Sequence, residues 1–197
     1  DPRYEGSFLI GQQYDLSTGE KILTAYNMEL NYTAEIAMMP GTGYDGTKWG
    51  AVLQQAGFRA NKWTYSSSLN DGMGNDYHVF RLADIYLMKA EALLRSGGSA
   101  SEATNLVNAV RARAYGNTNH NYASVTLKEV QLERRLEFAW ELTSRQDDIR
   151  FGCYDKGMWA SSDCERKSSD HLKLFPVSQT AWQSNPNLKQ NPGYPSF

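Results

Sequence analysis

The feature that most constrains the fold is a set of apolar residues spaced three and four apart, namely Leu82, Ile85, Tyr86, Leu87, Ala90, Leu93 and Leu94. This spacing places them on one face of an α-helix, and the Gly97 and Gly98 pair predicts where that helix ends. A second stretch of the same kind follows, capped by Ser99 or Ser101 and ending near Gly116. The sequence therefore predicts two helices joined by a short glycine turn.

Small residues at Ala90 and Ala103 would let the two helices of this hairpin approach closely. Close packing of that kind is typical of a tetratricopeptide unit, although the turn does not match the spacing of that repeat cleanly. The chain contains only one such unit, so any superhelix would continue in residues outside it.

A third helix is predicted from Thr126 to about Arg145, with Leu132, Leu136, Ala139 and Trp140 on its buried face. Thr126 and Glu129 have the spacing of a capping box. Residues 1–78 are rich in Gly, Tyr, Asn, Ser and Thr, and Ser7 to Ile10 and Lys62 to Ser66 are interpreted as short strands. Residues 153–197 form an irregular tail with four of the six prolines.

The expected fold class is thus mainly α. It combines a helical hairpin of tetratricopeptide-like type and a third helix with a loop-rich irregular layer containing a few short strands. We expect one domain over residues 1–197, made of a loop-rich, ligand-facing layer (1–78), a helical unit (79–152) and the tail (153–197).

Composition excludes several functions. A net charge of −2 and a pI near 5.9 leave no dense basic face, so nucleic acid is not an expected partner. No run of eighteen apolar residues predicts a membrane-spanning helix. Cys153 and Cys164 have no second pair to complete a zinc site, which leaves a local disulfide or two free thiols. We expect neither a metal nor a cofactor.

Glu133, Glu137 and Glu141 lie four residues apart and form a column of carboxylates if they share one helix. A glycosidase needs two carboxyl groups that face each other across a sugar, about 5 to 10 Å apart. Neighbours on one helix face point the same way, so catalysis is the weaker interpretation. The stronger one is a partly buried ion-pair ladder whose cations are Arg134, Arg145 and Arg150.

Aromatic residues make up 12% of the chain, with twelve Tyr and five Trp. Their rings suit the flat C–H faces of sugars, provided that polar side chains lie close enough to hydrogen-bond the hydroxyls. Trp63 and Tyr65 alternate with Thr64 as in a half-buried strand, so Trp63 is interpreted as core. The candidate ligand-binding residues lie in the glycine-rich loops of the first layer: Tyr26, Asn27, Tyr44, Asp45 and Trp49.

Three ordered motifs resemble the SusD/RagB family of outer-membrane glycan-binding lipoproteins from gut and oral Bacteroidetes. They are ERRLEFAWELTSRQDDIRFG (133–152), RLADIYLMKAEALLRSGG with the later VRARAYG (81–116), and FPVS with NPNLKQNPGY (175–194). The opening Asp-Pro-Arg is also similar to the start of the carboxy-terminal portion in that family. Leu142 stands where a Gly is common, Ser144 where an Arg is, and Asp148 where a Leu is. These departures predict that the third helix ends less sharply and that the ion-pair ladder has one cation fewer.

The resemblance implies a non-catalytic receptor at the cell surface that holds an oligosaccharide, or sometimes a peptide, over a SusC-like TonB-dependent transporter. The remaining tetratricopeptide-like repeats and the lipidated cysteine that attaches such a receptor to the outer membrane would lie outside this chain. An alternative is a docking half that contacts the transporter while the amino-terminal half binds ligand. A glycoside hydrolase is the least favoured hypothesis.

Overall fold

The computed structural model describes residues 1–34, 55–63, 76–154 and 168–196. The chain divides into two compact units, residues 1–140 and residues 141–197, and each is described by itself. Within the described residues the fold is mainly α, as the sequence predicts. No helix among them is long and apolar enough to cross a membrane.

The first unit opens with α1 (Pro2–Ser7), a short helix that Asp1 caps by accepting a hydrogen bond from Arg3 N at 3.0 Å. Short antiparallel strands follow: β1 (Phe8–Leu9), β2 (Gly11–Gln12), β3 (Asn31–Tyr32) and β4 (Arg59–Ala60). β1 pairs with β4, and β2 pairs with β3. The strand predicted at Ser7 to Ile10 is therefore present over two residues. Of the strand predicted from Lys62 to Ser66, Lys62 and Trp63 are not in a strand, and residues 64–66 are outside the described part.

The helical hairpin consists of α2 (Leu82–Arg95) and α3 (Ala100–Tyr115). Ser99 caps α3 by accepting a hydrogen bond from Glu102 N at 3.1 Å. Gly97 ends α2 with a φ of 71°, which a glycine adopts without steric cost. Ala90 and Ala103 are both fully buried, which agrees with the close approach of the two helices predicted from their size.

The third helix, α4 (Leu127–Glu137), begins at the predicted capping box. Thr126 Oγ1 accepts from Lys128 N at 3.2 Å, and the carboxylate of Glu129 accepts from Thr126 N at 2.8 Å. The predicted end at Arg145 and the predicted buried face are wrong. Leu132 is exposed, and the face that α4 buries is largely charged.

Trp140 and Leu142 account for the early end of α4, because both have positive φ, at 68° and 61°. Leu142 adopts the left-handed conformation that a glycine would take more readily. The prediction of a less sharply broken helix is therefore wrong, because α4 ends at Glu137 and the backbone turns left-handed with leucine in place. The Trp140 ring is partly exposed and contacts Phe8 at 5.6 Å between centroids.

In the second unit, α5 (Ser144–Arg150) is followed by a 3₁₀ helix (Asp170–Lys173) and by α6 (Gln179–Ser184). Arg145 Nη2 donates to the carbonyl of Leu172 at 2.6 Å and lies over the Phe175 ring at 4.3 Å. Among the described residues of the tail, hydrogen bonds from side chains to the backbone hold the chain together.

Candidate functional site

Two carboxylates of α4 are buried completely, with Glu133 at 0% and Glu137 at 1% exposure. Arg111 Nη1 donates to Glu133 at 2.8 Å. Arg3 Nη1 lies 2.7 Å from the other oxygen of Glu133, outside hydrogen-bond geometry, so it acts there as a neighbouring charge. We call these carboxylates, together with the arginines that contact them, the carboxylate hub.

Glu137 receives more cations than Glu133. Arg3 Nη1 donates to it at 3.1 Å, Arg113 Nη2 donates at 2.5 Å, and Arg81 forms a further short ion pair. Burial raises the pKa of Glu137, but the hydrogen bond and charge of Arg81, the charge of Arg113 and the Arg3 hydrogen bond outweigh it. The resulting pKa lies below the usual value of 4.5. Glu137 is therefore ionised at neutral pH and cannot serve as the protonated acid of a glycosidase.

The prediction that the carboxylates form ion pairs is confirmed for Glu133 and Glu137. In the described part of the chain, none of the three predicted cations forms an ion pair with these two carboxylates, and of the three only Arg134 links α4 to the hairpin. Arg134 does join α4 to the hairpin, through Asp84 at 2.7 Å. Arg145 instead donates to backbone carbonyls, and Arg150 pairs with Asp147 at 2.6 Å. Glu141 lies beyond the end of α4 and is not part of its column.

The hub explains why the motifs of this sequence occur together. Arg3 belongs to the opening Asp-Pro-Arg, Arg81 begins the hairpin motif, and Arg111 and Arg113 form its closing Arg-x-Arg. All of these arginines converge on the buried end of α4. The spacing of charges along α4 could not identify them, because each lies more than twenty residues away from its carboxylate partner.

The carbonyl at the end of α4 also holds two segments outside the helix. The backbone carbonyl of Glu137 accepts from Lys62 Nζ at 2.7 Å and from Arg81 Nη2 at 2.8 Å. The Arg81 guanidinium lies over the Phe138 ring, 4.5 Å from its centroid. The segments next to Lys62 and Arg81, which are distant in sequence, are thus held at one end of α4.

Those anchored segments carry three rings in contact, which we call the aromatic stack: Trp63, Tyr77 and His78. Trp63 stacks on Tyr77 at 4.8 Å with planes 29° apart and lies 5.0 Å from His78. Tyr77 is 51% exposed. The interpretation of Trp63 as core was incomplete, because its ring is half-buried and forms part of a surface cluster. In the sequence, the only indication of Tyr77 and His78 was their position just before Arg81, after a stretch of polar residues.

Of the predicted ligand residues, Tyr26 and Asn27 lie together at a tight turn. Thr24 Oγ1 accepts from Tyr26 N at 3.3 Å and from Met28 N at 3.2 Å, which fixes the turn. Asn27 has a φ of 56°, a conformation that asparagine tolerates, and Tyr26 is 53% exposed. The other predicted ligand residues lie outside the described part of the chain: Tyr44, Asp45 and Trp49.

Among the described residues, no group of three His, Cys, Asp or Glu side chains is placed to hold a metal ion. The Cys153 thiol lies 3.6 Å from the backbone oxygen of Asp148. Cys164 is outside the described residues, so the choice between a disulfide and two thiols stays open.

Fold and site together define a helical scaffold that presents aromatic rings on loops, an arrangement of the kind that binding proteins use. The sequence matches the SusD family over residues 1–194, and the chain belongs to that family. The resemblance seen in its motifs is thereby confirmed.

Two named relatives come from curated proteins and solved structures. The starch-binding protein SusD of Bacteroides thetaiotaomicron is 33% identical over 124 residues, which are 60% of this chain and 22% of that protein. A laminarin-binding SusD-like protein has a structure similar to 98% of this chain and 35% of its own, at 30% identity and a TM-score of 0.60.

A third relative is surface glycan-binding protein A of Bacteroides thetaiotaomicron, solved in complex with laminarihexaose. It matches 71% of this chain and 30% of its own, at 26% identity and a TM-score of 0.53. The chain thus spans between about a fifth and about a third of the length of these relatives.

Proposed function

We propose that this chain binds an oligosaccharide, without cleaving it, at the surface of the bacterial outer membrane, for delivery to a SusC-like TonB-dependent transporter. The observation that carries the proposal is the family match over residues 1–194, together with relatives named for binding starch, laminarin and glycan. Attachment to the membrane would be through a lipid anchor outside the chain. The ionised, arginine-bound Glu137 supports a scaffold role for the carboxylates rather than catalysis.

We assign ligand binding to the loop layer, residues 1–78. Tyr26 and Asn27 offer an exposed ring beside an amide on a fixed turn, and the aromatic stack offers a second exposed ring in Tyr77. A sugar face that packs on such a ring buries its C–H groups while its hydroxyls reach neighbouring polar side chains. Tyr44, Asp45 and Trp49 stay candidates on their chemistry alone.

Calorimetric titration with maltohexaose and laminarihexaose tests this proposal. We expect saturable binding of at least one of them, and a loss of about tenfold in affinity, or about 1.4 kcal/mol, in Tyr77→Ala. Tyr77→Phe keeps the ring and should bind within about twofold of the unsubstituted chain. Tyr14→Ala is the control within the loop layer: Tyr14 is also 51% exposed but belongs neither to the aromatic stack nor to the turn at Tyr26 and Asn27, so its loss tests whether the effect is specific to the stack. Failure to bind either sugar would count against the function, and equal losses in Tyr77→Ala and Tyr14→Ala would count against the site.

One observation favours the second candidate, a docking half. The start of α2 and the residues before it expose a row of apolar side chains: Val79, Phe80, Leu82 and Ile85. Exposed apolar residues that cluster in this way mark protein contact surfaces. In this hypothesis the face packs on the transporter, while the amino-terminal half of the protein binds the sugar.

Co-purification with the transporter separates the two candidates. Leu82→Ser with Ile85→Ser, introduced together, should abolish co-purification and leave sugar affinity unchanged if the apolar face docks there. The control is Lys89→Ser with Glu102→Ser, which removes an exposed ion pair from the same hairpin and should change neither property. Retained co-purification of the double apolar variant would exclude the docking candidate.

A further inference from the structure

The tail of the second unit is clamped at both of its edges by side chains. Gln190 donates to the carbonyl of Val177 at 3.1 Å and accepts from the amide of the same residue at 2.8 Å. Asn191 Nδ2 donates to the Phe175 carbonyl at 2.7 Å, and the Tyr194 hydroxyl donates to the Leu174 carbonyl, also at 2.7 Å. These side-chain hydrogen bonds therefore fix residues 190–194 against residues 174–177.

A cavity of about 460 Å³ opens beside this clamp, and we call it the tail pocket. Its lining residues come from the 3₁₀ helix and from the clamped tail: Asp170, His171, Lys173, Leu174, Pro192 and Gly193. Its volume lies within the range of about 300 to 1,000 Å³ that small-molecule sites occupy.

Gly193 sets the shape of the pocket. Its φ is 88°, and a Cβ at this position would lie 2.5 Å from the Cβ of His171, so only glycine lets the tail come this close to the imidazole. The Tyr194 ring meets His171 edge-on, with centroids 4.9 Å apart and planes at 87°. The imidazole is thus held in place before any ligand arrives, which lowers the ordering cost of binding.

The chemistry of the walls is mixed. Leu174 and the Pro192 ring supply exposed apolar surface, while Asp170 and Lys173, joined in an ion pair, supply an acceptor and a donor. His171 adds an imidazole, which in its neutral form both donates and accepts. An apolar wall beside alternating donors and acceptors matches a pyranose, whose ring C–H groups are apolar and whose hydroxyls both donate and accept.

We propose that the tail pocket is a separate binding site for an oligosaccharide, which we call the tail subsite, and that it holds one sugar residue against Leu174 and Pro192 with its hydroxyls on Asp170 and His171. This inference rests on the proposed function, since it takes the ligand class from it. Because the subsite belongs to the second unit, it uses none of the residues of the aromatic stack.

Histidine imidazole signals in ¹H–¹³C NMR spectra report on the tail pocket directly. The chain has three histidines, so His171→Ala identifies the signal of His171 by its loss. Titration with maltohexaose and with laminarihexaose, in buffer of matched pH, should shift the His171 signal saturably for at least one of them. Asp170→Ala should raise the apparent Kd of that shift by at least about threefold, equivalent to about 0.7 kcal/mol. Glu102→Ala, which removes an exposed ion-paired acid elsewhere, should leave it unchanged.

Three outcomes would oppose the inference. If calorimetry detects sugar binding while the His171 signal stays still, the subsite is excluded and the proposed function stands. A shift of His171 that Asp170→Ala does not weaken also excludes the subsite as described. If neither sugar binds by calorimetry and no histidine signal moves, both the subsite and the proposed function fail.

Discussion

The substitution Glu137→Gln removes one buried negative charge and keeps almost the same side-chain volume. Three guanidinium groups contact this carboxylate, those of Arg3, Arg81 and Arg113. The substitution therefore leaves these cations without one of their counter-charges in the interior, while packing around α4 is nearly unchanged.

The expected loss follows from the exposure of those cations. Arg113 is 62% exposed and can turn into solvent, whereas Arg3 and Arg81 are largely buried. Breaking a buried ion pair by removing one partner costs about 3 to 5 kcal/mol. The amide oxygen of glutamine still accepts one hydrogen bond, so we expect the lower value, about 3 kcal/mol. In a domain of this size that loss lowers the Tm by about 6 to 12 °C.

Urea unfolding followed by tryptophan fluorescence measures the effect, since the chain contains five Trp. The transition midpoint should fall while the slope with urea stays constant, because the surface exposed on unfolding is the same. Glu102→Gln is the matched control: Glu102 also forms an ion pair, with Lys89 at 2.6 Å, but both side chains are exposed. This control should change stability by less than about 1 kcal/mol. Equal losses in the two variants would refute the claim that Glu137 is a structural hub.

Three further predictions concern stability. The pKa of Glu137 is lowered in the folded state, so its contribution is complete above the usual value of 4.5 and is lost as the pH falls through the lower folded pKa. The difference in free energy of unfolding between the unsubstituted chain and Glu137→Gln should thus stay constant above about pH 4.5 and become smaller below it. A difference that grows on acidification would contradict this prediction. Leu142→Gly should raise the free energy of unfolding by about 0.5 to 1 kcal/mol, because it removes a leucine in a left-handed conformation that is 88% exposed and packs little. Thermal unfolding should show a raised Tm, and a lowered Tm would contradict the claim that Leu142 is strained. Thr126→Ala should cost about 1 kcal/mol by removing the cap of α4, with Ser124→Ala, at an exposed position before the helix, as an expected near-neutral control in the same urea assay.

The helices that could be predicted are those whose signals are local. The spacing of apolar residues located α2 and α3, and the Thr126 and Glu129 pair located the start of α4, because caps and amphipathic periods depend on neighbours within a few residues. The family could likewise be recognised from the sequence alone, because the resemblance depends on short motifs and on their order along the chain.

The end of α4 and the composition of the hub could not be predicted in this way. Trp140 and Leu142 are not residues that usually adopt a left-handed conformation, so the break was not predicted even though Leu142 stands where a Gly is common in the family. The cations of the hub come from positions that only the fold brings together, and local arginines were therefore chosen in error. In most helices the apolar residues are buried and the charged ones exposed. In α4, Leu132 is exposed and Glu133 is buried, because arginines lie against the Glu133 face.

That aromatic rings form the candidate site could be predicted from the sequence, but which residues carry those rings could be predicted only in part. Tyr26 is exposed as a ligand ring requires, but Trp63, interpreted as core, belongs to a stack with Tyr77 and His78. The stack forms because Lys62 and Arg81 are both held by the carbonyl of Glu137, a contact between segments distant in sequence.

The most direct test of the central claim, that α4 is scaffold and the loop layer binds the sugar, is amide hydrogen exchange with and without saturating oligosaccharide. The sugar is whichever of maltohexaose and laminarihexaose binds by calorimetry. We expect added protection in peptides that cover residues 59–63 and 76–80, and no change in peptides that cover residues 127–137. Protection that rises in residues 127–137 and not in the loop layer would contradict the account.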